Sequence, residues 1–156
     1  MFHRWAAPLL VLALCAMSPK TAAGQQAPRG QRATGTIGKP YPNPVNPETH
    51  IPIAVDTAEC SDGSRQNVVT VRISNILAQE VAVPILEGGV AATITPVPPS
   101  LIRQPVSNLK LGCGFYTLYW GGYVKGTTKE AASGTYLVEV FVNGQRTDAV
   151  RILVRK

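Results

Sequence analysis

The stretch Tyr41-Pro42-Asn43-Pro44-Val45-Asn46-Pro47-Glu48-Thr49 decides how the rest of the chain is interpreted. Each proline fixes its own φ, lacks an N–H and pushes the preceding residue towards extended backbone. This proline-rich segment is therefore neither a helix nor a central strand. Directly after it, Ile51, Ile53 and Val55 occupy every second position, which is the pattern of a strand. The segment thus predicts a rigid start to a β-domain.

Short alternating segments continue to the end of the chain. Apolar side chains recur at alternate positions in residues 51–55, 68–73, 81–85, 116–120, 135–142 and 150–154. Turn residues separate these segments, and Asn143-Gly144 between the last two is a strong hairpin signal. No part of the chain after residue 24 shows a sustained helical period. We therefore predict an all-β fold, an antiparallel sandwich of about seven strands.

The first 24 residues have the features of a secretory signal peptide. His3 and Arg4 precede an apolar run over residues 6–17, and small residues follow at 21–24. The apolar run is too short to span a bilayer comfortably as a permanent helix. We expect export to the periplasm, the cell surface or the exterior, with no stable membrane span after cleavage. An anchored N-terminal helix and a lipid anchor at Cys15 are the alternatives.

Three regions are expected along the chain. Residues 1–24 form the signal peptide, and residues 25–38, which have almost no large apolar side chain, form a flexible leader. Residues 39–156 form the β-sandwich domain. A Gly-Gly pair and several prolines predict an irregular insertion near residues 86–110 that runs over the surface.

The charge of the chain is positive but evenly spread. The formal net charge is +6, and it becomes +4 when the predicted signal peptide is removed together with Arg4 and Lys20. The basic residues form no run, and they do not interleave with aromatic residues as in a base-stacking surface. Solubility and weak attraction to anionic surfaces account for such a charge. We therefore expect no nucleic-acid partner.

Two cysteines follow the predicted signal peptide, Cys60 and Cys113. In an exported chain, an even pair of cysteines favours a disulfide. The bond would close a long loop and stabilise the fold by roughly 4 kcal/mol in the chain-entropy model. A pair of free buried thiols is the alternative. With only His50 nearby, the two cysteines do not supply the four ligands of a structural zinc site.

No motif brings catalytic residues together in the sequence. His50 is the one histidine after the predicted signal peptide, and neither G-x-S-x-G nor H-E-x-x-H occurs. Asp56, Glu59 and Asp62 form an acidic loop that lacks the ligand spacing of a known calcium loop. We therefore expect a non-enzymatic protein with no catalytic residues, no cofactor and no metal site.

Three apolar residues are predicted on outward faces of the last two strands. Leu137 and Phe141 point away from the predicted core, and Leu153 lies opposite the inward Val154. A contiguous exposed apolar patch marks an interface, so Leu137, Phe141 and Leu153 are a possible protein interface. Alternatively, residues 86–108 fold back and cover this patch.

Several motifs, in order, resemble an immunoglobulin-like module of flagellar hook-capping proteins and of C-terminal sorting domains of the bacterial type IX secretion system. The segment YPNPVNP at 41–47 resembles the YPNPFNP start of that module. Similar motifs follow at 71–81, 116–122, 132–136 and 151–156. Ala78 stands where the module usually has glycine, and Gly121 where it usually has aspartate. The motif residues are Tyr41, Pro42, Asn43, Pro44, Asn46, Pro47, Trp120, Gly134 and Tyr136.

The resemblance implies an immunoglobulin-like β-sandwich over residues 39–156, with protein partners at the cell surface or in the secretion machinery. The function expected from the sequence is therefore an exported, non-enzymatic module that acts by protein–protein contact at the cell envelope or outside the cell. It would be a subunit of a surface assembly or a sorting-type adapter. A small glycan- or peptidoglycan-binding module that uses Phe115, Tyr119 and Tyr123 is the alternative.

Overall fold

The structure is a computed structural model that describes residues 33–56, 65–91 and 97–156; the predicted signal peptide lies outside these ranges. The strand pairings are antiparallel, so the predicted all-β, antiparallel class is confirmed. The described residues form nine strands, so the prediction of about seven is wrong. The strands are β1 (Gly35–Ile37), β2 (Thr49–Val55), β3 (Gln66–Ser74), β4 (Glu80–Ala82), β5 (Ile85–Ala91), β6 (Leu109–Gly112), β7 (Gly114–Trp120), β8 (Gly134–Val142) and β9 (Gln145–Val154).

The strands are arranged in two sheets. Sheet 1 has the order β1-β2-β7-β5, and sheet 2 has the order β4-β3-β8-β9 with β6 paired to β3. Buried apolar side chains from both sheets form one cluster. Along β2 buried and half-buried residues alternate without interruption, as the period of two in the sequence predicts. The outward side chains of each sheet are therefore left for contacts other than the core.

Three strands lie wholly or largely in segments where the sequence predicts irregular chain, and β5 (Ile85–Ala91), which pairs with β7, is one of them. Residues 35–37, placed in the leader, pair with β2, and the N–H of Ile37 donates to Asp148 Oδ2 at 2.8 Å. Residues 109–112, placed in the insertion, pair with β3. Leu109 and the nearby Val106 are buried in the core rather than running over the surface. Backbone hydrogen bonds form whatever the side chains are, so such short strands leave little trace in side-chain alternation.

The proline-rich segment connects the two sheets. Val45 is fully buried, and its N–H donates to the Leu153 carbonyl of β9 at 2.7 Å. The Asn43 side-chain oxygen accepts a hydrogen bond from the N–H of Leu153 at 3.0 Å. On the other side, Thr49 at the start of β2 donates its hydroxyl to the Pro42 carbonyl at 2.9 Å. The segment is thus held in place by polar contacts at both ends.

Three aromatic residues of the motifs lie in the core with their polar atoms bonded. Trp120 is only 4% exposed, its Nε1 donates to the Tyr123 carbonyl at 3.0 Å, and its ring lies 6.0 Å from that of Tyr136. The hydroxyl of Tyr136 donates to the Ala132 carbonyl at 2.9 Å. Tyr116 is buried in the same cluster. Buried Tyr and Trp need such partners for their polar ends, so these contacts fix the rings in one orientation.

The predicted disulfide falls partly outside the described ranges. Cys113 is buried immediately before β7, with its Sγ 2.8 Å from the carbonyl oxygen of Asp56. Cys60 lies outside the described residues, so the Cys60–Cys113 bond stays a prediction.

Candidate functional site

Basic and apolar side chains cover the outer face of sheet 2. Lys110 of β6 lies on this face opposite Val68. The register of the other strands places three cross-strand rows there, namely Ser74–Leu137–Arg151, Arg72–Glu139–Ala149 and Thr70–Phe141–Arg146. We name this surface the basic face, after its cations Arg72, Lys110, Arg146 and Arg151. With the single carboxylate of Glu139 among them, these residues carry a net charge of +3.

Glu139 lies at the centre of the basic face and is only 5% exposed. Its Oε2 accepts hydrogen bonds from Arg72 Nε at 3.0 Å and from the Ser74 hydroxyl at 3.2 Å. Its Oε1 accepts one from Arg146 Nη1 at 3.0 Å. A buried carboxylate is tolerated only when it is paired and hydrogen-bonded, and these three donors meet that need. The carboxylate therefore holds two guanidinium groups on the same surface.

The environment of Glu139 changes its pKa in two opposing ways. Burial would raise the pKa of this carboxyl. The hydrogen bonds from Arg146, Arg72 and Ser74, together with the charge of Arg72, lower it by more, so the net pKa lies below the ordinary value of 4.5. Glu139 is therefore ionised at neutral pH.

This lowered pKa predicts a dependence of stability on pH. A carboxyl whose pKa is lower in the folded than in the unfolded protein stabilises the fold above the unfolded pKa and stops doing so as pH falls through the folded pKa. We expect Glu139→Gln to lower the free energy of unfolding at pH 7 by about 1.5–3 kcal/mol, since hydrogen bonds to charged groups contribute about that much. Urea unfolding of both proteins at pH 7 and pH 3 measures the difference, which should shrink at pH 3. An equal difference at both pH values would contradict the ionised pairing.

Arg72 is also stacked on an aromatic ring. Its guanidinium carbon lies 4.4 Å from the centroid of Phe141, within the range of a cation–π contact. Because Arg72 uses Nε for Glu139, its two terminal nitrogens are not used in that bond. The stack thus presents a flat cation on the outside of the sheet.

A groove adjoins the basic face at the turn between β3 and β4. It has a volume of about 320 Å³ and is lined by residues that include Asn75, Ile76, Leu137, Arg146 and Arg151. The Asn75 side-chain oxygen shapes this turn, because it accepts the backbone N–H groups of two residues that follow it, at 2.9 and 3.0 Å. Ile76 projects from the turn with 82% of its surface exposed. Arg151 makes no ion pair with any described residue, so its charge is open to a ligand in the groove.

One departure from the motif falls on the residue of this turn that has a left-handed backbone conformation. Ala78 has a φ of +58°, a backbone region in which glycine is favoured. The modules that the sequence resembles usually have glycine at this position. The turn therefore has its shape here with an alanine, for which this conformation costs about 1–2 kcal/mol.

The predicted interface residues all lie on or beside the basic face. Leu137 and Phe141 are half-buried between the arginines, and Leu153 is 44% exposed near the end of β9. Their apolar surface is thus interleaved with charge and is not one continuous patch. Among the described residues of the insertion, Asn108 bonds to Thr70 at the margin of this face, and none of them forms a hydrogen bond or ion pair with Leu137, Phe141 or Leu153. Their role as an interface stays a prediction.

The cations of the basic face could not be grouped from the sequence. Alternation along each strand does show Arg72 and Arg151 pointing outwards. Only the register between β3, β8 and β9 places Arg72 directly opposite Glu139 and Arg151 in the neighbouring row, opposite Leu137. The interpretation of the basic residues as scattered is therefore wrong for these strands.

The outer face of sheet 1 carries a second polar cluster, built from aromatic and acidic side chains. His50 stacks on Tyr41 with ring centroids 5.3 Å apart, and its Nδ1 lies 2.7 Å from Glu87 Oε2. Tyr119 donates its hydroxyl to Glu48 Oε2 at 2.6 Å, and this hydrogen bond is the main reason why the pKa of Tyr119 is raised. The carboxylates of this cluster are thus already paired, and their negative charge would repel an anion.

The three aromatic residues of the glycan alternative are not gathered in one place by a cavity. Phe115 and Tyr119 share the outer face of β7, whereas Tyr123 follows the strand and lines a groove of about 510 Å³ with Tyr119. Phe115 is not part of that groove. This surface therefore does not place all three rings side by side for stacking on one ligand.

The acidic loop is described only at its start. Asp56 is buried, and its carboxylate lies 3.5 Å from Arg65 Nε, whereas Glu59 and Asp62 lie outside the described residues. Within residues 33–56, 65–91 and 97–156, no group of three His, Cys, Asp or Glu side chains could hold a metal ion. In the same ranges no helix is long and apolar enough to cross a membrane.

Comparisons with known proteins gave one structural match. No family model and no curated protein matches the chain. The structure is similar to that of Pseudomonas fluorescens alkylpurine DNA glycosylase AlkC bound to DNA containing an abasic site analog, with 18% identity and a TM-score of 0.41. The match covers 78% of this chain but only 30% of that chain. The chain therefore spans less than a third of the protein it matches.

This match contradicts three expectations from the sequence. The matched protein is an enzyme and is bound to DNA. We therefore correct three expectations: that the protein has no enzymatic activity, that it acts only by contact with proteins or glycans, and that it has no nucleic-acid partner. A similarity this low transfers no activity from the glycosylase to this chain, so a function has to come from the surface of the molecule itself.

Proposed function

We propose that the protein binds a polyanion on the basic face of sheet 2 and that the ligand is single-stranded nucleic acid. The observation that carries the proposal is the cluster of Arg72, Arg146 and Arg151, three guanidinium groups that cross-strand register places on one surface. Arginine forms a fork of donors that matches phosphate oxygens. Phosphate contacts supply most of the affinity of such complexes and do not depend on sequence.

The shape of the surface favours a single strand over a duplex. Reading a duplex through its major groove takes a helix or a two-stranded ribbon, whereas single strands lie across open sheets and stack their bases on aromatic rings or guanidinium planes. The flat Arg72–Phe141 stack supports this mode of binding. Leu137, which lines the adjoining groove, adds apolar surface for a base.

We also propose that the two sheets form an immunoglobulin-like sandwich. In that fold one sheet has the strand order A-B-E-D and the other contains C-F-G. The orders β1-β2-β7-β5 and β3-β8-β9 follow the same scheme, which supports the proposal. The hydroxyl of Tyr136, bonded to the carbonyl four residues upstream, resembles the tyrosine corner of the fold. Membership of the hook-capping and sorting-domain group stays a prediction.

Fluorescence anisotropy with a labelled 15-mer of deoxythymidine tests the proposed ligand. We expect binding that weakens with salt, with a slope of log K against log salt of about −2, since each of three phosphate contacts contributes about −0.7 on a single strand. Arg151→Gln should weaken binding roughly three- to tenfold and bring the slope about 0.7 nearer to zero.

The matched control removes the same charge elsewhere. Arg103 is exposed beside β5 of sheet 1, where its N–H bonds to Leu86, and Arg103→Gln should leave the affinity nearly unchanged. Equal losses for the two variants would assign binding to net charge alone. Absence of binding at low salt would overturn the proposed function, and tighter binding of a duplex of the same length would overturn the choice of ligand.

A further inference from the structure

Glu139 stands out on the basic face because it works against the ligand that the face suits. It is the carboxylate among four cations, and it is nearly buried beneath two of them. A negative charge within about 6 Å of a bound phosphate costs on the order of a threefold to tenfold loss of affinity, depending on the local dielectric. A surface selected only for tight binding of anions would place a neutral residue here.

The contacts of Glu139 show what it does to its neighbours. Its carboxylate accepts one hydrogen bond from Arg72 Nε and one from Arg146 Nη1. Each guanidinium has further N–H donors that these bonds do not use. The third hydrogen-bond donor to the carboxylate is the Ser74 hydroxyl. The two guanidinium groups are therefore fixed in direction while one of their two charges is neutralised.

We propose that Glu139 is a built-in counter-charge that limits the affinity of the basic face for nucleic acid and makes binding depend on directed hydrogen bonds rather than on net charge. This inference rests on the proposed function. Glu139 is a positioning residue in this role, since it acts through Arg72 and Arg146. Arg151, which has no carboxylate partner among the described residues, is the cation that the counter-charge does not neutralise.

Glu139→Gln is the direct test, because it removes the charge and keeps an oxygen that can accept one of the hydrogen bonds. Binding of the deoxythymidine 15-mer should tighten roughly three- to tenfold, and the salt slope should become steeper by about 0.7. Glu130→Gln is the matched control. It removes the same charge from an exposed side chain that pairs with Lys156 away from the basic face, and it should tighten binding much less. A purely structural role of Glu139 would lower the folded fraction and leave the salt slope unchanged.

A second variant keeps the test independent of the buried site. Ala149 is exposed and lies directly opposite Glu139 on β9, so Ala149→Glu adds a carboxylate to the same row of the face and leaves Glu139 itself unchanged. It should weaken binding roughly three- to tenfold and flatten the salt slope.

The outcomes separate this inference from the proposed function. Failure of the wild-type protein to bind the 15-mer at low salt overturns both. Wild-type binding, together with unchanged or weaker binding by Glu139→Gln and an unchanged slope for Ala149→Glu, overturns only the counter-charge. Opposite shifts of the two variants, relative to Glu130→Gln, support it.

Discussion

Replacing Gly122 with alanine is expected to lower the free energy of unfolding by about 3 kcal/mol or more. Gly122 has a φ of +77°, and a Cβ at this position would lie 2.1 Å from the carbonyl oxygen of Pro47. The left-handed conformation costs a residue with a Cβ about 1–2 kcal/mol. Overpacking against fixed backbone adds about 1–3 kcal/mol, because the proline-rich segment cannot move without breaking its contacts with β2 and β9. Urea unfolding followed by circular dichroism measures the loss.

Gly126 supplies the control for this prediction. Its φ of +70° is nearly the same, but a Cβ there would meet nothing within 4 Å. Gly126→Ala should therefore cost only the conformational part, about 1–2 kcal/mol. Similar losses for the two variants would show that the contact between Gly122 and Pro47 has no energetic weight.

Replacing Trp120 with alanine is expected to lower the free energy of unfolding by a similarly large amount. The side chain is almost completely buried at the end of β7, packs beside Tyr136 and donates its indole N–H to the Tyr123 carbonyl. Trp→Ala changes in cores typically cost 3–5 kcal/mol, because the lost apolar contacts are compounded by a cavity. Thermal and urea unfolding of Trp120→Ala measure this loss.

A graded variant separates the two contributions of the indole. Trp120→Phe keeps an aromatic ring beside Tyr136 and removes the N–H donor, so it should cost clearly less than the alanine variant. An alanine variant that costs less than about 1 kcal/mol would contradict a central role for Trp120 in the core.

The sequence predicts the strands best where one face is buried. In β8, Val138, Val140 and Val142 are buried and share the inward face, so the pattern of the sequence and the packing agree. In β1 there is no such pattern. Its three residues are held by pairing with β2 and by one bond to Asp148, which no local signal announces. Strands without such a pattern, β1 among them, are the reason why the described residues form nine strands where the sequence predicts about seven.

The candidate site depends on information that alternation does not contain. Outward positions of Arg72, Leu137 and Arg151 follow from each strand separately. Their proximity follows from the register of β3, β8 and β9, including the irregularity between Val140 and Phe141. A single sequence specifies which face a side chain occupies far better than which side chains become its neighbours, because register is fixed by tertiary packing and turn geometry.

The contacts of β9 with the proline-rich segment have a consequence for how another molecule can approach. An outer strand with free N–H and carbonyl groups is a template for a foreign strand, and proteins protect such edges. Here Asn43 and Val45 occupy the backbone groups of Leu153, and the two carboxylate oxygens of Asp148 bond to the N–H groups of Ala149 and Ile37. Sheet extension is thus discouraged along much of β9, which leaves side-chain chemistry on the flat of the sheet as the route to recognition.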